Sequence, residues 1–159
     1  MRVIFLDFDG VLNTYVYLFL VDPDSDDTDA SALDPKAIAR LNRIVEKTDS
    51  VVVLSTFWRH LHTQKNIVRM LDQRGFCGQV VGHTPFIDET QPTVMREVEV
   101  QRWLAMQRDA VESFVVLDDL DEFPSIKERH IRTDPNKGLT DQHIDEAVTI
   151  LRTPIRNAA

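Results

Sequence analysis

Short, unbroken apolar runs alternate with longer amphipathic stretches along most of this chain. VIFL, within residues 2–6, is the first run, and its lack of internal alternation marks a strand buried on both faces. The pattern returns at 50–55 (SVVVLS) and 113–119 (SFVVLDD), more weakly at 78–82 (GQVVG), and in a shorter stretch at 129–132. Helical patterns fill the intervals. In LDPKAIARLNRIVEKTD, Asp34 reads as an N-cap, Pro35 suits the first helical position, and Ile38, Leu41, Ile44 and Val45 recur at helical spacing. A second helix is expected from about 60 to 74, closed by Gly75. A third is expected in TVMREVEVQRWLAMQRD, with Val94, Val98, Trp103 and Leu104 among charges, and a last one follows Thr140 as cap, with Ile144, Val148 and Leu151 on one stripe.

This alternation predicts an α/β fold, a mainly parallel sheet of about five strands with helices on both faces, forming one domain over 1–159. Ligands of such sheets sit at the carboxyl ends of the strands. Asp7 follows VIFL, Ser55 follows VVVL, and Asp118 with Asp119 follows FVVL, so these polar endings are expected to converge on one crevice. The interval of about 11–33 breaks the alternation. TYVYLFLV is read as a short hairpin or flap beside the crevice, and DPDSDDTDAS, with five aspartates in ten residues, as a solvated loop.

Asp7 and Asp9 flank Phe8 at the end of a buried strand, and buried carboxylates are costly unless paired, hydrogen-bonded or bound to a metal. Phosphoryl transfer gives them a use. An aspartate can attack phosphorus and split one displacement into two. The reaction needs a hard cation such as Mg²⁺, a proton donor for the leaving group, and donors or a cation on the phosphoryl. Asp7 is the candidate nucleophile and metal ligand. Asp9 is the candidate acid and base, its backbone carbonyl a further metal ligand, with Gly10 bending the chain so that both face one phosphate. Ser55 is the candidate phosphoryl donor, with Thr56 as its alternative, and Asp118 and Asp119 complete the metal site.

These segments carry a family resemblance. LDFDGVLN resembles the first motif of the haloacid dehalogenase (HAD) superfamily, hydrophobic residues followed by DxDG[TV]. VVVLS resembles the second motif and VVLDD the fourth, in matching order and spacing over most of the chain. The resemblance implies a Rossmann-like three-layer fold with the Asp7 strand central and the Asp118 strand beside it. It also implies a phosphohydrolase activity with Mg²⁺, and a squiggle and flap after Asp9. DGVLN, LSTFWR, REVEVQRWL and LDDLDEF resemble, more narrowly, the small HAD domains of Swiss Army Knife and related RNA-repair proteins. The family's third motif, a lysine or arginine before the fourth strand, has no lysine to fill it, since none lies between Lys65 and Asp118. Arg96 is the first candidate for that role, Lys137 in DPNKGLT the second and Arg59 in STFWR the third.

Composition narrows the reading. A hydrophobic share of 43% and a charged share of 28% are ordinary for a globular chain, and one cysteine, Cys77, excludes an intrachain disulfide. The apolar runs are too short to span a membrane, so a cytoplasmic location is expected. A net charge of −8 opposes nonspecific binding to polyanions but not a small phosphorylated substrate held locally, so nucleic acid is the disfavoured partner. The aspartate-rich run lacks the glycine and glutamate of a calcium loop, and the five histidines are scattered without zinc-site spacing. Trp58 and Trp103 are read as packing residues. With about twenty residues between the first motif and the first helix there is no room for a full cap domain, so the site is expected to be open.

Overall fold

Alternate residues of the first strand serve two cores. In β1 (Arg2–Leu6), Ile4 and Leu6 pack into one apolar cluster and Val3 and Phe5 into another, as the period of two of an extended chain requires. The computed structural model describes residues 1–21, 29–87, 96–107 and 110–155. Its sheet has five parallel strands in the order β3-β2-β1-β4-β5, with β2 (Ser50–Leu54), β3 (Val80–His83), β4 (Ser113–Asp118) and β5 (His130–Arg132). The strand carrying the Asp7 motif is therefore central and the Asp118 strand its neighbour.

The first core lies beneath the helices α2 (Pro35–Thr48), α3 (Gln64–Gln73) and α5 (Asp141–Arg152), and includes Ile38, Leu41, Ile67, Leu71, Ile144 and Leu151. The second lies beneath α4 (Arg96–Gln107), where Trp103 meets Phe5 edge to face at 5.3 Å between centroids. Asp34 caps α2 by accepting the Lys36 N–H at 2.8 Å, with Pro35 at the first position. Gly75, at φ +87°, closes α3, a conformation that favours glycine. No helix among the described residues is long and apolar enough to cross a membrane.

Several boundaries differ from the sequence reading. The segment read as a hairpin is a helix, α1 (Tyr15–Val21). Thr14 starts it, its hydroxyl accepting the Tyr17 N–H at 3.0 Å and its carbonyl the Leu18 N–H at 2.9 Å. YVYLFLV is apolar at every position, so its pattern carries no period to separate helix from strand. The helix expected from about 60 begins at Gln64, because residues Phe57–His60 form a 3₁₀ turn and Thr63 provides the α3 cap. The weak strand at 78–82 lies at Val80–His83, β2 ends at Leu54, β4 at Asp118, and Arg129 belongs to a 3₁₀ turn before β5. The sequence reading at 22–28, 93–95 and 108–109 falls outside the described residues.

Trp103 is 6% exposed and fills the space between Phe5 and α4. Trp103→Ala is expected to destabilise the protein by about 3–5 kcal/mol, read as a lower urea midpoint with an unchanged m-value. A loss below about 1 kcal/mol would contradict the packing role.

Candidate active site

Register places the site. Leu6 pairs with Leu54 on one side and with Leu117 on the other, so the next residues, Asp7, Ser55 and Asp118, stand level at the carboxyl end of three adjacent strands. The ladder continues one step through Asp7 N–H to Leu117 O at 3.0 Å and Ser55 N–H to Leu6 O at 2.9 Å. The carboxylates of Asp7, Asp118 and Asp119 each offer an oxygen within 4.8 Å of the others.

Burial makes this cluster unusual. Asp7 is 3% exposed, and Ser55 and Asp118 are fully buried. Asp7 Oδ1, Ser55 Oγ and Asp118 Oδ2 are buried without a hydrogen-bond partner among the described residues, although such groups are normally satisfied. Asp118 Oδ1 accepts the Leu120 N–H at 2.9 Å, leaving its second oxygen turned to the cluster's unmet demand. Desolvation pushes the Asp7 carboxyl well up, Asp118 adds to the rise, and Arg96 opposes it. Burial likewise pushes Asp118 up to about 7, against the Leu120 N–H and Arg96. Asp119, partly exposed, is raised by burial too. A divalent cation with oxygen ligands would relieve all three carboxylates at once, so the donor set and its unpartnered oxygens fit Mg²⁺.

The loop after β1 is tightly turned. Phe8 O accepts N–H groups from Val11, Leu12 and Asn13 at 3.0, 2.8 and 3.1 Å. Phe8 itself is buried and meets Trp58 edge to face. Gly10 has φ +73°, and a Cβ there would lie 2.6 Å from Asp119 Oδ2, so glycine lets Asp119 approach the turn. Thr133, in the loop after β5, donates to Gly10 O at 2.8 Å and ties that loop to the turn.

Asp9 is exposed and stands outside the three-carboxylate cluster. Two donors orient it, Asn13 Nδ2 at 2.9 Å and Trp58 Nε1 at 3.1 Å, both on Oδ1. Neither bond uses Oδ2. The sequence reading did not assign either donor, although Asn13 stands in the quoted motif and Trp58 in LSTFWR. Thr56 spends its hydroxyl oxygen as the cap of the 3₁₀ turn, accepting the Trp58 N–H at 3.3 Å, which leaves Ser55 as the hydroxyl without a partner.

The cations are distributed unequally. Arg96 opens α4, donates through Nη1 to Ser55 O, and its backbone N–H is accepted by Glu122 Oε2 at 3.0 Å. Its charge lowers the pKa of Asp7, Asp118 and Asp119. Arg59 is buried, pairs with Glu99 at 2.5 Å and donates to Thr84 Oγ1. Burial lowers its pKa, and it feels both Arg96 and Asp7. Lys137 lies on the turn from Asp134 to Gly138, 72% exposed in its side chain and 3.6 Å from Asp134. The structure therefore gathers Asp7, Asp118, Asp119, Ser55 and Arg96, with Gly10 beneath Asp119 and Asp9 on the rim, and leaves Lys137 on the surface.

Residues 3–144 match the protein family described as HAD domain in Swiss Army Knife RNA repair proteins. The chain belongs to this family. No match is found to a curated protein or to a solved structure. The parallel sheet and central Asp7 strand are those expected of a HAD domain, and the buried aspartate cluster lies where its motifs converge.

The raised carboxyls set a pH dependence. A folded pKa above the unfolded value contributes stability fully present below about pH 4 and lost as pH rises through about 7. Chelator-treated HAD domain is expected to melt at lower temperature at pH 8 than at pH 5, and Mg²⁺ to raise the melting temperature more at pH 8. Asp118→Asn should raise the chelated protein's melting temperature at pH 8 and abolish most of the Mg²⁺ gain. An equal Mg²⁺ effect at both pH values, or one retained by the variant, would count against the site.

Proposed function

We propose that this HAD domain is a Mg²⁺-dependent phosphomonoesterase that works through an aspartyl-phosphate on Asp7. The observation that carries the reading is the set of unpartnered oxygens on Asp7, Ser55 and Asp118, level at the ends of three adjacent strands. They have the chemistry to receive a phosphoryl group and a cation together.

Asp7, Asp118 and Asp119 would hold Mg²⁺, with the Asp9 backbone carbonyl as a further ligand. The ion would supply charge neutralisation for the phosphoryl oxygens. Ser55 Oγ donates to a phosphoryl oxygen, and Arg96 balances the negative charge gathered between α4 and the sheet. An oxygen of Asp7 attacks phosphorus, forming the acyl phosphate as the ester P–O bond breaks. Asp9 gives its proton to the departing alkoxide, so the alcohol leaves neutral. Asp9, now ionised, takes a proton from water as that water attacks phosphorus. Phosphate leaves and the Asp7 carboxylate is restored. Asn13 and Trp58 hold Asp9 through Oδ1, which leaves Oδ2 to carry the proton.

The family description favours a second reading, removal of phosphate from polynucleotide ends. The net charge of −8 works against it. Comparison of 5′- and 3′-phosphorylated oligonucleotides with mononucleotides separates the two: a large excess for oligonucleotides supports end-processing, and equal rates support small substrates.

Hydrolysis of p-nitrophenyl phosphate with and without Mg²⁺ is the direct test. Asp7→Asn is expected to lower kcat by at least about 10³-fold and Asp9→Asn by about 10²- to 10⁴-fold. Absence of turnover in the parent across a substrate panel, with Mg²⁺ still bound, would instead favour a phosphate-sensing module that has kept the fold.

The choice of cation is tested in the same assay. Arg96→Ala is expected to cost about 10²-fold or more in kcat/KM, with partial recovery in Arg96→Lys, while Lys137→Ala stays within about twofold. A loss in Lys137→Ala comparable to that in Arg96→Ala would reverse the assignment.

A further inference from the structure

A cavity of about 410 Å³ opens where β2 and β3 end, with walls that include Leu54, Arg59, His60, His62, His83 and Phe86. Its volume is in the range of small-ligand sites. Two of its wall residues connect it to the proposed chemistry. Leu54 immediately precedes Ser55, and the Arg59 guanidinium feels the Asp7 carboxylate. Trp58, which donates to Asp9, also lies 6.2 Å from the His62 ring, centroid to centroid.

The lining is aromatic in an organised way. Phe86 lies 4.6 Å from the His60 ring and 5.2 Å from the His83 ring, with the Arg59 guanidinium 5.1 Å from its centroid. Phe57, outside the cavity wall, stacks on His60 at 5.1 Å between centroids. Single exposed apolar residues are ordinary, but here Phe57 and Phe86 are 55% and 46% exposed within one ring cluster. Neighbours hold the Phe86 ring from several sides, so little side-chain freedom remains to be lost on binding. Arg59 Nε and His62 Nε2 are buried without a hydrogen-bond partner among the described residues. Arg59, 7% exposed, thus presents a largely buried polar side chain to a cavity whose other walls combine the histidine and Phe86 rings with Leu54, Leu61, Thr63 and Gln64.

Resting on the phosphomonoesterase reading, we infer that this cavity is the leaving-group subsite and that it takes a planar aromatic ring, a nucleobase or a benzene-type ring. The exposed part of the Phe86 ring would stack the bound ring, beside His60 and His83 that pack against Phe86, and the polar wall would meet its edge.

The test compares substrates that each leave as a primary alkoxide and differ in whether an aromatic ring is present. Adenosine 5′-monophosphate is set against ribose 5-phosphate, and benzyl phosphate against cyclohexylmethyl phosphate. Parent kcat/KM is expected to favour the aromatic member of at least one pair about tenfold, and Phe86→Ala or Phe86→Leu to shrink that ratio severalfold. Preference in the first pair alone identifies a nucleobase, in the second alone a benzene-type ring, and either supports the subsite. Ratios near one in both pairs, or ratios that Phe86 variants leave unchanged, overturn it. A binding arm works without turnover. Adenosine and benzyl alcohol, which carry no phosphate, are titrated while the imidazole NMR signals of His60 and His83 are followed. Saturable shifts with no hydrolysis of any substrate would sink the phosphatase reading and keep the ring site. Hydrolysis with no shift from either ligand would do the reverse.

Discussion

The candidate site depends on two aspartates, Asp7 and Asp118, standing side by side at the ends of adjacent buried strands. Parallel pairing in register makes this unavoidable once Leu6 faces Leu117. Charge removed from water at that point is expensive, and like charges compound the cost. The surroundings answer it in part. Arg96 reaches in from α4, the Leu120 N–H meets one Asp118 oxygen, and both carboxyls are held toward their neutral forms. Stability is thereby given up where function is proposed, and the apolar clusters on both faces of the sheet offset it.

The surrounding polar contacts divide into two groups. Around Asp9 they fix orientation, since Asn13 and Trp58 both grip the same oxygen. Around Arg59 they fix position, since the buried pair with Glu99 joins α4 to the turn that follows β2. Removing one partner of such a pair costs more than the pair itself contributes, because the other charge is left buried. The Arg59–Glu99 link thus holds α4, and with it Arg96, against the carboxyl end of the sheet.

Much of this was legible in the chain. The apolar runs VIFL and FVVL, each closed by an aspartate, form the buried strands expected of them, and their polar endings meet because a parallel sheet aligns its carboxyl ends. Asp34, Pro35 and Gly75 marked helix ends through local chemistry that tertiary context did not alter. Legibility failed where the pattern was uniform or the partner distant. YVYLFLV has no polar position to set a period, so its helix emerged only with the Thr14 cap. The donation from Trp58 to Asp9 joins residues 49 apart, a relation that spacing along the chain cannot express. Position in the chain ranked Arg96 ahead of Lys137, but only the structure shows their settings: Arg96 donates to Ser55 O at the strand ends, and Lys137 lies beside Asp134 on a surface turn.

The contact between Gly10 and Asp119 also bears on how such a sequence can drift. A Cβ at position 10 would overlap the Asp119 carboxylate, and the backbone there is in a region that side chains rarely adopt. A larger residue at position 10 would strain the backbone and press on Asp119, and shrinking position 119 to make room would remove a carboxylate from the cluster. The two positions therefore form one unit of variation. Loss of Asp119 would leave Asp7 and Asp118 as a pair, because strand register aligns those two without help from position 10.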